Sequence, residues 1–231
     1  MLERILGDPV THEPRAALPI VDGVPCAIVP DEEVVRRHGR RALAAWRAVQ
    51  DECERSVAEV GPTGNFSHDE WRPAIEAAER FVATAPRAAL VLDVGCGSLR
   101  MPAYLNTIVS AWHCDIVGVD PLRGEERDFH FVQALGDFLP FRRAVVDASL
   151  FVSSLDHMIS PLCALEGVRD VLVPGGWLLV EETVRPPDRA YRRWRLRSLA
   201  GPTRYNAFHN HAFTRAACGR SWSGQGSRSS N

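Results

Sequence analysis

The chain has 231 residues, of which 45% are hydrophobic and 24% are charged, so a protein that is disordered throughout is excluded. The sequence contains no run of about 20 apolar residues, which excludes a transmembrane helix, and its first residues contain no apolar core of the kind that a signal peptide needs. These two features predict a cytoplasmic protein. All 27 basic residues are arginine, which excludes any mechanism that needs a lysine, such as a Schiff base.

The first 60 residues contain one hairpin signal and one long helical stretch. Asp22-Gly23 separates two short β-branched runs, a pattern typical of a tight β-hairpin within residues 1–30. From Asp31 to about Val60 the sequence predicts a single helix, because acidic residues suit its N-terminus and Gly61-Pro62 ends it. A capping box at Ser67 and Glu70 starts a further helix through Ala83, so we expect residues 31–87 to be a helical lead-in.

Between residues 88 and 182, short apolar runs alternate with helical stretches. Five runs are typical of strands, at residues 89–94, 116–119, 130–133, 148–152 and 177–181. Helices are predicted at 102–111 and 161–172, and Pro174-Gly175-Gly176 predicts a turn into the fifth strand. Strands separated by helices predict an α/β protein with a Rossmann-like, doubly wound, mostly parallel sheet and helices on both faces.

The last 49 residues differ in charge from the rest of the chain. Residues 183–231 hold ten arginines and one acidic residue, whereas residues 1–182 are acidic overall. The arginine-dense stretch 185–197 within the segment 183–217 leaves three interpretations open: a solvated helix face, a cap that attracts an anionic substrate, or a nucleic-acid surface, which the acidic remainder disfavours. Residues 218–231 are rich in Ser and Gly and are predicted to be a disordered tail.

A nucleotide site is indicated where the first two core strands end. The first ends in a Gly95-x-Gly97 turn, and about 23 residues later the second ends in Asp120, whose carboxylate can accept hydrogen bonds from both ribose hydroxyls. The alternative is a bare turn with Asp120 as a helix cap. Arg100 stands where a dinucleotide fingerprint needs glycine, and Asp93 beside the turn would repel phosphate but suit a ligand with an ammonium and a sulfonium.

Five ordered motifs resemble those of the class I S-adenosylmethionine-dependent methyltransferases, in the group with the small-molecule type 11 domain. They cover residues 88–182 and are Leu92-Asp93-Val94-Gly95-Cys96-Gly97, Val117-Gly118-Val119-Asp120, Gly136-Asp137-Phe138-Leu139-Pro140-Phe141, Val152-Ser153-Ser154-Leu155-Asp156-His157-Met158 and Val171-Leu172-Val173-Pro174-Gly175-Gly176. The resemblance implies S-adenosyl-L-methionine as the cofactor. It implies eight cofactor-binding residues: Asp93, Gly95, Cys96, Gly97, Asp120, Pro121, Asp137 and Ser153.

The sequence also departs from the family pattern. Leu99 replaces a common third glycine, and Met101-Pro102-Ala103-Tyr104-Leu105 resembles an alternative continuation of the first motif. The hairpin in residues 1–30 resembles a ribbon-like module without its cysteines, so we expect no metal there. After Ala217 the sequence departs from the family pattern, which indicates a truncation or a frameshift and predicts a sheet that lacks its last two strands.

The resemblance implies methyl transfer to the O, N or C atom of a small-molecule acceptor. His157 is the candidate general base because imidazole titrates near neutral pH, and Asp156 either orients it or caps the following helix. The arginine-rich segment makes an anionic acceptor one expectation. The alternative function is a degenerate, non-catalytic binding protein with the same fold, which Leu99 and the altered C-terminus favour.

Overall fold

The computed structural model describes residues 1–60 and 68–182, with Val60 and residues 68–70 described by their backbone alone. The predicted cap at Ser67, the arginine-rich segment 183–217, the tail 218–231 and the predicted loss of the last two strands lie outside the described residues. Within these described ranges, no helix is both long enough and apolar enough to cross a bilayer.

The N-terminal segment begins with the short helix α1 (Leu2–Ile5) and then forms the predicted hairpin from β1 (Ile20–Val21) and β2 (Val24–Pro25). Asp22 and Gly23 both have positive φ, at 48° and 81°, which is the geometry that a two-residue hairpin turn needs. After the hairpin, the N–H of Ala27 donates to the carbonyl of Gln133, at 2.8 Å, so the segment lies beside an edge of the main sheet.

The prediction of one continuous helix over residues 31–60 is wrong at a single residue. The structure has two helices there, α2 (Asp31–His38) and α3 (Arg40–Val60), which pack against each other. Gly39 between them has φ of +88°, a conformation that glycine adopts without steric cost and that ends a helix. A further helix, α4 (His68–Thr84), follows.

The core is a five-stranded parallel sheet with strand order β5-β4-β3-β6-β7. The remaining elements in chain order are β3 (Leu90–Val94), α5 (Ala103–Trp112), β4 (Asp115–Asp120), β5 (His130–Gln133), β6 (Val146–Val152), a 3₁₀ turn (Leu155–His157), α6 (Pro161–Val171) and β7 (Leu172–Glu181). The predicted α/β fold is confirmed, and all five predicted strands are present. Strand β7 starts five residues earlier than predicted, and Pro174-Gly175-Gly176 forms an irregularity inside it, where the pairing with β6 shifts register.

Two apolar layers cover the two faces of the sheet. One layer consists of α4 and α5 side chains such as Phe81 and Ile108, and the opposite layer includes Val168 of α6. Residues of β3 alternate between the layers, with Val91 in the first and Leu92 in the second, as the two-residue period of a strand requires. Because both faces are covered, the carboxyl ends of the strands are where a ligand can approach the sheet.

A third apolar cluster joins the N-terminal helices to this edge of the sheet. Val34 of α2 and Leu43 of α3 are buried against Leu135, Phe138 and Ile159, which follow β5 and the 3₁₀ turn. The two helices therefore lie against the loops at the carboxyl ends of the strands.

Candidate functional site

The strand order reverses between β3 and β6, and the candidate site lies at the carboxyl ends of these two strands and of β4. From β3 the chain proceeds outward through β4 to β5, then returns to the other side of β3 with β6. In open α/β sheets, the crevice at such a reversal is where ligands bind.

The Gly95-x-Gly97 turn follows β3 at this point. Gly95 has φ of +76° and Gly97 has φ of +70°, a region that residues with a Cβ rarely adopt. A Cβ on Gly95 would lie 2.5 Å from the Cβ of Ser154, so glycine is needed for close packing against the loop after β6. A Cβ on Gly97 would meet no heavy atom within 4 Å, so the space above Gly97 is open.

Asp120, at the end of β4, is held against this turn. Its Oδ2 accepts the N–H of Gly97 at 2.9 Å and its Oδ1 accepts the N–H of Leu122 at 2.8 Å. The residue is 7% exposed, and burial raises the pKa of its carboxyl, while the two backbone hydrogen bonds lower it. The structure thus brings together the glycine turn and the carboxylate that the sequence predicted as neighbours.

Asp93, on β3, is fully buried with 0% exposure, on the face of the sheet that α5 covers. Its Oδ2 accepts the hydroxyl of Tyr104 at 2.8 Å, whereas its Oδ1 has no hydrogen-bond partner among the described residues. Burial raises the pKa of Asp93 to about 7, and the Tyr104 hydrogen bond opposes that rise. Sequence reasoning missed Tyr104 as a partner, although the motif Pro102-Ala103-Tyr104 places it in the first turn of the helix after the glycines.

Asp137, after β5, has a buried carboxylate that binds backbone. Its Oδ2 accepts the N–H of Ile159 at 3.0 Å and its Oδ1 accepts the N–H of Ser160 at 2.7 Å. His38 of α2 lies nearby, with its Nε2 3.8 Å from Oδ1, and burial raises the pKa of Asp137 to about 6. The carboxylate therefore holds the loop that precedes α6, and the adenine contact stays a prediction.

The other predicted binding residues are arranged around this crevice. The carbonyl of Pro121 accepts the side-chain amide of Gln133 at 2.8 Å. Cys96 is buried, and its Sγ packs on β4, where a Cβ on Gly118 would lie only 2.7 Å away. Ser153 is exposed, with φ of +50°, and its hydroxyl donates to a carboxylate oxygen of Glu181 at 2.9 Å.

His157 lies in the 3₁₀ turn after β6, at the same edge of the sheet. Its Nε2 is 3.5 Å from Oδ1 of Asp156, and its side chain is 26% exposed. One oxygen of Glu182, just after β7, accepts the N–H groups of Ser154 and Leu155. Burial, together with the charge of Asp156, raises the pKa of Glu182 to about 8. Sequence reasoning assigned no role to Glu182, although its position directly after the fifth strand puts it at this edge of the sheet.

Helix α3, which belongs to the N-terminal part of the chain, lies near the same crevice. Burial is the main cause that raises the pKa of the Cys53 thiol to about 12, and the charges of Asp120 and Asp156 contribute. The packing of Leu43 of α3 against Leu135 and Ile159 places this helix beside the loops at the carboxyl ends of the strands. Within residues 1–60 and 68–182, no group of three His, Cys, Asp or Glu side chains is arranged to hold a metal ion.

The family model described as "Methyltransferase domain" matches residues 66–220, and no curated protein matches the sequence. The [4+2]-cyclase SpnF is 19% identical over 89% of this chain and 73% of its own, with a TM-score of 0.50. The protein MccD is 12% identical over 64% of this chain and 68% of its own, also with a TM-score of 0.50.

The chain is also similar to the YcgJ protein of Bacillus subtilis, at 19% identity and a TM-score of 0.49. That match covers 64% of this chain and spans 66% of the length of YcgJ. At these identities the likeness to SpnF and MccD concerns the fold alone.

Proposed function

This chain belongs to the methyltransferase domain family, and on that basis we propose that it transfers a methyl group from S-adenosyl-L-methionine to an O, N or C atom of a small-molecule acceptor. The family model covers the glycine turn, Asp120 and the loop after β6, so the resemblance to class I S-adenosylmethionine-dependent methyltransferases is confirmed at the level of family and fold. The acceptor and the roles of individual residues are part of this proposal.

The observation that carries the proposal is the pairing of the glycine turn with Asp120. The N–H of Gly97 fixes one carboxylate oxygen at the end of β4, and the space directly above Gly97 is open. A nucleoside can approach the backbone there while its ribose hydroxyls donate to the carboxylate. The unpartnered Oδ1 of Asp93 is a second feature that fits the cofactor, because a buried carboxylate oxygen without a donor suits an ammonium group.

We assign complementary tasks to the other predicted binding residues. Pro121 follows Asp120 directly and would border the adenosine, and Ser153 would line the crevice from the β6 side. Cys96 would contribute its backbone, because its thiol is packed on β4. Asp137 would act by holding the loop beside the adenine, since both of its oxygens bind backbone N–H groups.

The bound cofactor would supply an electrophilic methyl group, so the chain itself needs to position the acceptor and, for a weak nucleophile, to accept its proton. We propose that His157 accepts this proton at Nε2 or Nδ1. Asp156, 3.5 Å from Nε2, would stabilise the imidazolium that results. Helix α3, which lies against the crevice, would shield the acceptor from water. The anionic preference expected from residues 185–197 rests on a segment outside the described residues and remains an expectation.

The binding of S-adenosylhomocysteine, the product form of the cofactor, tests this function directly by isothermal titration calorimetry. Replacing Asp120 with Ala removes charged hydrogen bonds of roughly 1.5–3 kcal/mol each, so we expect affinity to fall about 10- to 100-fold or more. The matched control is Asp128→Ala, which changes an exposed aspartate in the loop that follows β4. A wild-type chain that binds no S-adenosylhomocysteine, or an Asp120→Ala chain that binds it normally, contradicts the proposal.

A second candidate is a protein of the same fold that does not transfer methyl groups. Leu99, in place of a common glycine, favours it, and one protein with a similar fold, SpnF, is described as a cyclase. Measuring S-adenosylhomocysteine release over a pool of small metabolites separates the two. Cofactor binding without release across the pool supports the second candidate, and acceptor-dependent release supports the methyltransferase.

A further inference from the structure

A single arginine connects the glycine turn to the loop that follows β4. Arg127 donates from Nη2 to the carbonyl of Gly97 at 2.6 Å and to the carbonyl of Leu122 at 3.1 Å. From Nη1 it donates to the carbonyls of Arg123 and Glu125. Its Cζ lies 3.5 Å from the centre of the Phe131 ring, so the guanidinium also packs against β5.

These contacts determine what Arg127 can do for a ligand. A guanidinium has two N–H groups on each terminal nitrogen, and here both terminal nitrogens of Arg127 already donate to two carbonyl oxygens each. The terminal nitrogens of Arg127 therefore have no N–H left for a cofactor carboxylate. The Nε of Arg127 is buried and has no hydrogen-bond partner among the described residues, so the contacts of Arg127 that the structure shows act through the loops it holds and through its charge.

The charge of Arg127 acts on both buried carboxyls of the site. Burial raises the pKa of Asp93 and of Asp120, and the positive charge of Arg127 lowers both. In the part of the chain that the structure describes, the titratable groups that interact with Asp120 come from several elements: Asp93 on β3, Cys96 after β3, Tyr104 on α5, Cys53 on α3 and Arg127 itself. Of these groups, Arg127 is the cation.

The loop after β4 packs closely against the glycine turn. Gly124 has φ of +60°, and a Cβ there would lie 2.4 Å from the backbone of Ser98, so this loop presses directly on the glycine turn. The N–H of Glu125 donates to the carbonyl of Ser98 at 2.9 Å. Arg100 makes a second connection, since its side chain binds Asp128, but it is exposed.

We propose that Arg127 is a positioning residue of the cofactor site, which fixes the Gly97 turn to the loop after β4 and supplies the positive charge that acts on Asp93 and Asp120. The inference rests on the proposed function, because the ligand it prepares the site for is the cofactor. It adds a residue that neither the motifs nor their spacing identified. The ribose hydroxyls would donate to an ionised Asp120 carboxylate, and without the charge of Arg127 this carboxyl would take up a proton at a higher pH.

The test measures S-adenosylhomocysteine affinity by calorimetry at pH 6 and pH 7.5 for wild type, Arg127→Gln, Arg127→Lys and Arg100→Gln. Arg127→Gln keeps hydrogen-bond donors without the charge. We expect it to bind about 10-fold more weakly than wild type at pH 7.5, and to show a larger deficit at pH 6 than at pH 7.5, because Asp120 is protonated more readily without the charge of Arg127. Arg127→Lys keeps the charge but cannot reach four carbonyls, so its deficit should be about the same at both pH values.

The control and the readouts separate this role from a merely structural one. Arg100→Gln removes the other arginine between the same two loops and should change affinity less than 3-fold at either pH. A pH-independent deficit in Arg127→Gln, or wild-type affinity in Arg127→Lys, overturns the proposal. If Arg127→Gln does not fold by circular dichroism, the Arg127→Lys result still decides whether the connection between the loops matters. A wild-type chain that does not bind at all contradicts the proposed function, whereas binding that Arg127→Gln leaves unchanged contradicts this inference alone.

Discussion

Replacing Asp93 with Asn should stabilise the free protein at neutral and higher pH while it weakens cofactor binding. The carboxyl is fully buried, and burial raises its pKa from 3.8 to about 7. The folded protein therefore holds a proton that the unfolded chain releases above pH 4. The free energy of unfolding falls as pH rises from about 4 to 7 and then levels off.

The size of this effect follows from the shift in pKa. Roughly three units, at about 1.4 kcal/mol each, destabilise the folded state by about 4 kcal/mol at pH 8, with about 2.5 kcal/mol of it developing between pH 5 and pH 8. An amide at position 93 can still accept the Tyr104 hydroxyl, and it does not ionise. Its unpaired N–H groups cost about 1–3 kcal/mol, but this cost does not depend on pH.

Urea denaturation at pH 5 and pH 8 measures the effect. We expect the unfolding free energy of Asp93→Asn, relative to wild type, to be about 2.5 kcal/mol more favourable at pH 8 than at pH 5. The exposed Asp115, at the start of β4, gives the control variant Asp115→Asn, whose difference from wild type should stay constant. If the Asp93→Asn difference were equally constant, the reasoning from burial would be refuted.

Three further predictions concern the glycine turn, the candidate base and the loop before α6. Gly97→Ala and Gly175→Ala both place a Cβ at positive φ in open space, so each variant should lose about 1–2 kcal/mol of unfolding free energy. Only Gly97→Ala should also weaken S-adenosylhomocysteine binding, by at least 10-fold. His157→Asn should lower the rate of acceptor-dependent S-adenosylhomocysteine release about 100-fold and leave the Kd for S-adenosylhomocysteine unchanged. A changed Kd with a normal rate argues against His157 as the base. Asp137→Ala removes the side-chain acceptor of the Ile159 and Ser160 N–H groups and should lower the free energy of unfolding in urea by about 2–4 kcal/mol. A loss below 0.5 kcal/mol, about the size of a surface substitution, contradicts the assignment.

The strands and the glycine turn could be predicted because the signals that mark them are local. An apolar run such as residues 89–94 is buried on both faces only in the middle of a parallel sheet, and glycines at its end permit positive φ. The break at Gly39 was missed because the helical periodicity continues on both sides of it. The early start of β7 was missed because pairing with Val146 of β6 makes Leu172 part of the strand, which no local pattern reveals.

For this protein, the sequence by itself determined the α/β class, the five strands, and the glycine turn and carboxylate that meet at the ends of β3 and β4. Only the tertiary structure decided that Tyr104 binds Asp93, that Asp137 holds the loop before α6, and that Arg127 joins two loops over the site. The physical reason is that periodicity and turn chemistry act over a few neighbouring residues. A hydrogen bond across 11 to 30 positions depends instead on how the helices and loops pack on the finished sheet.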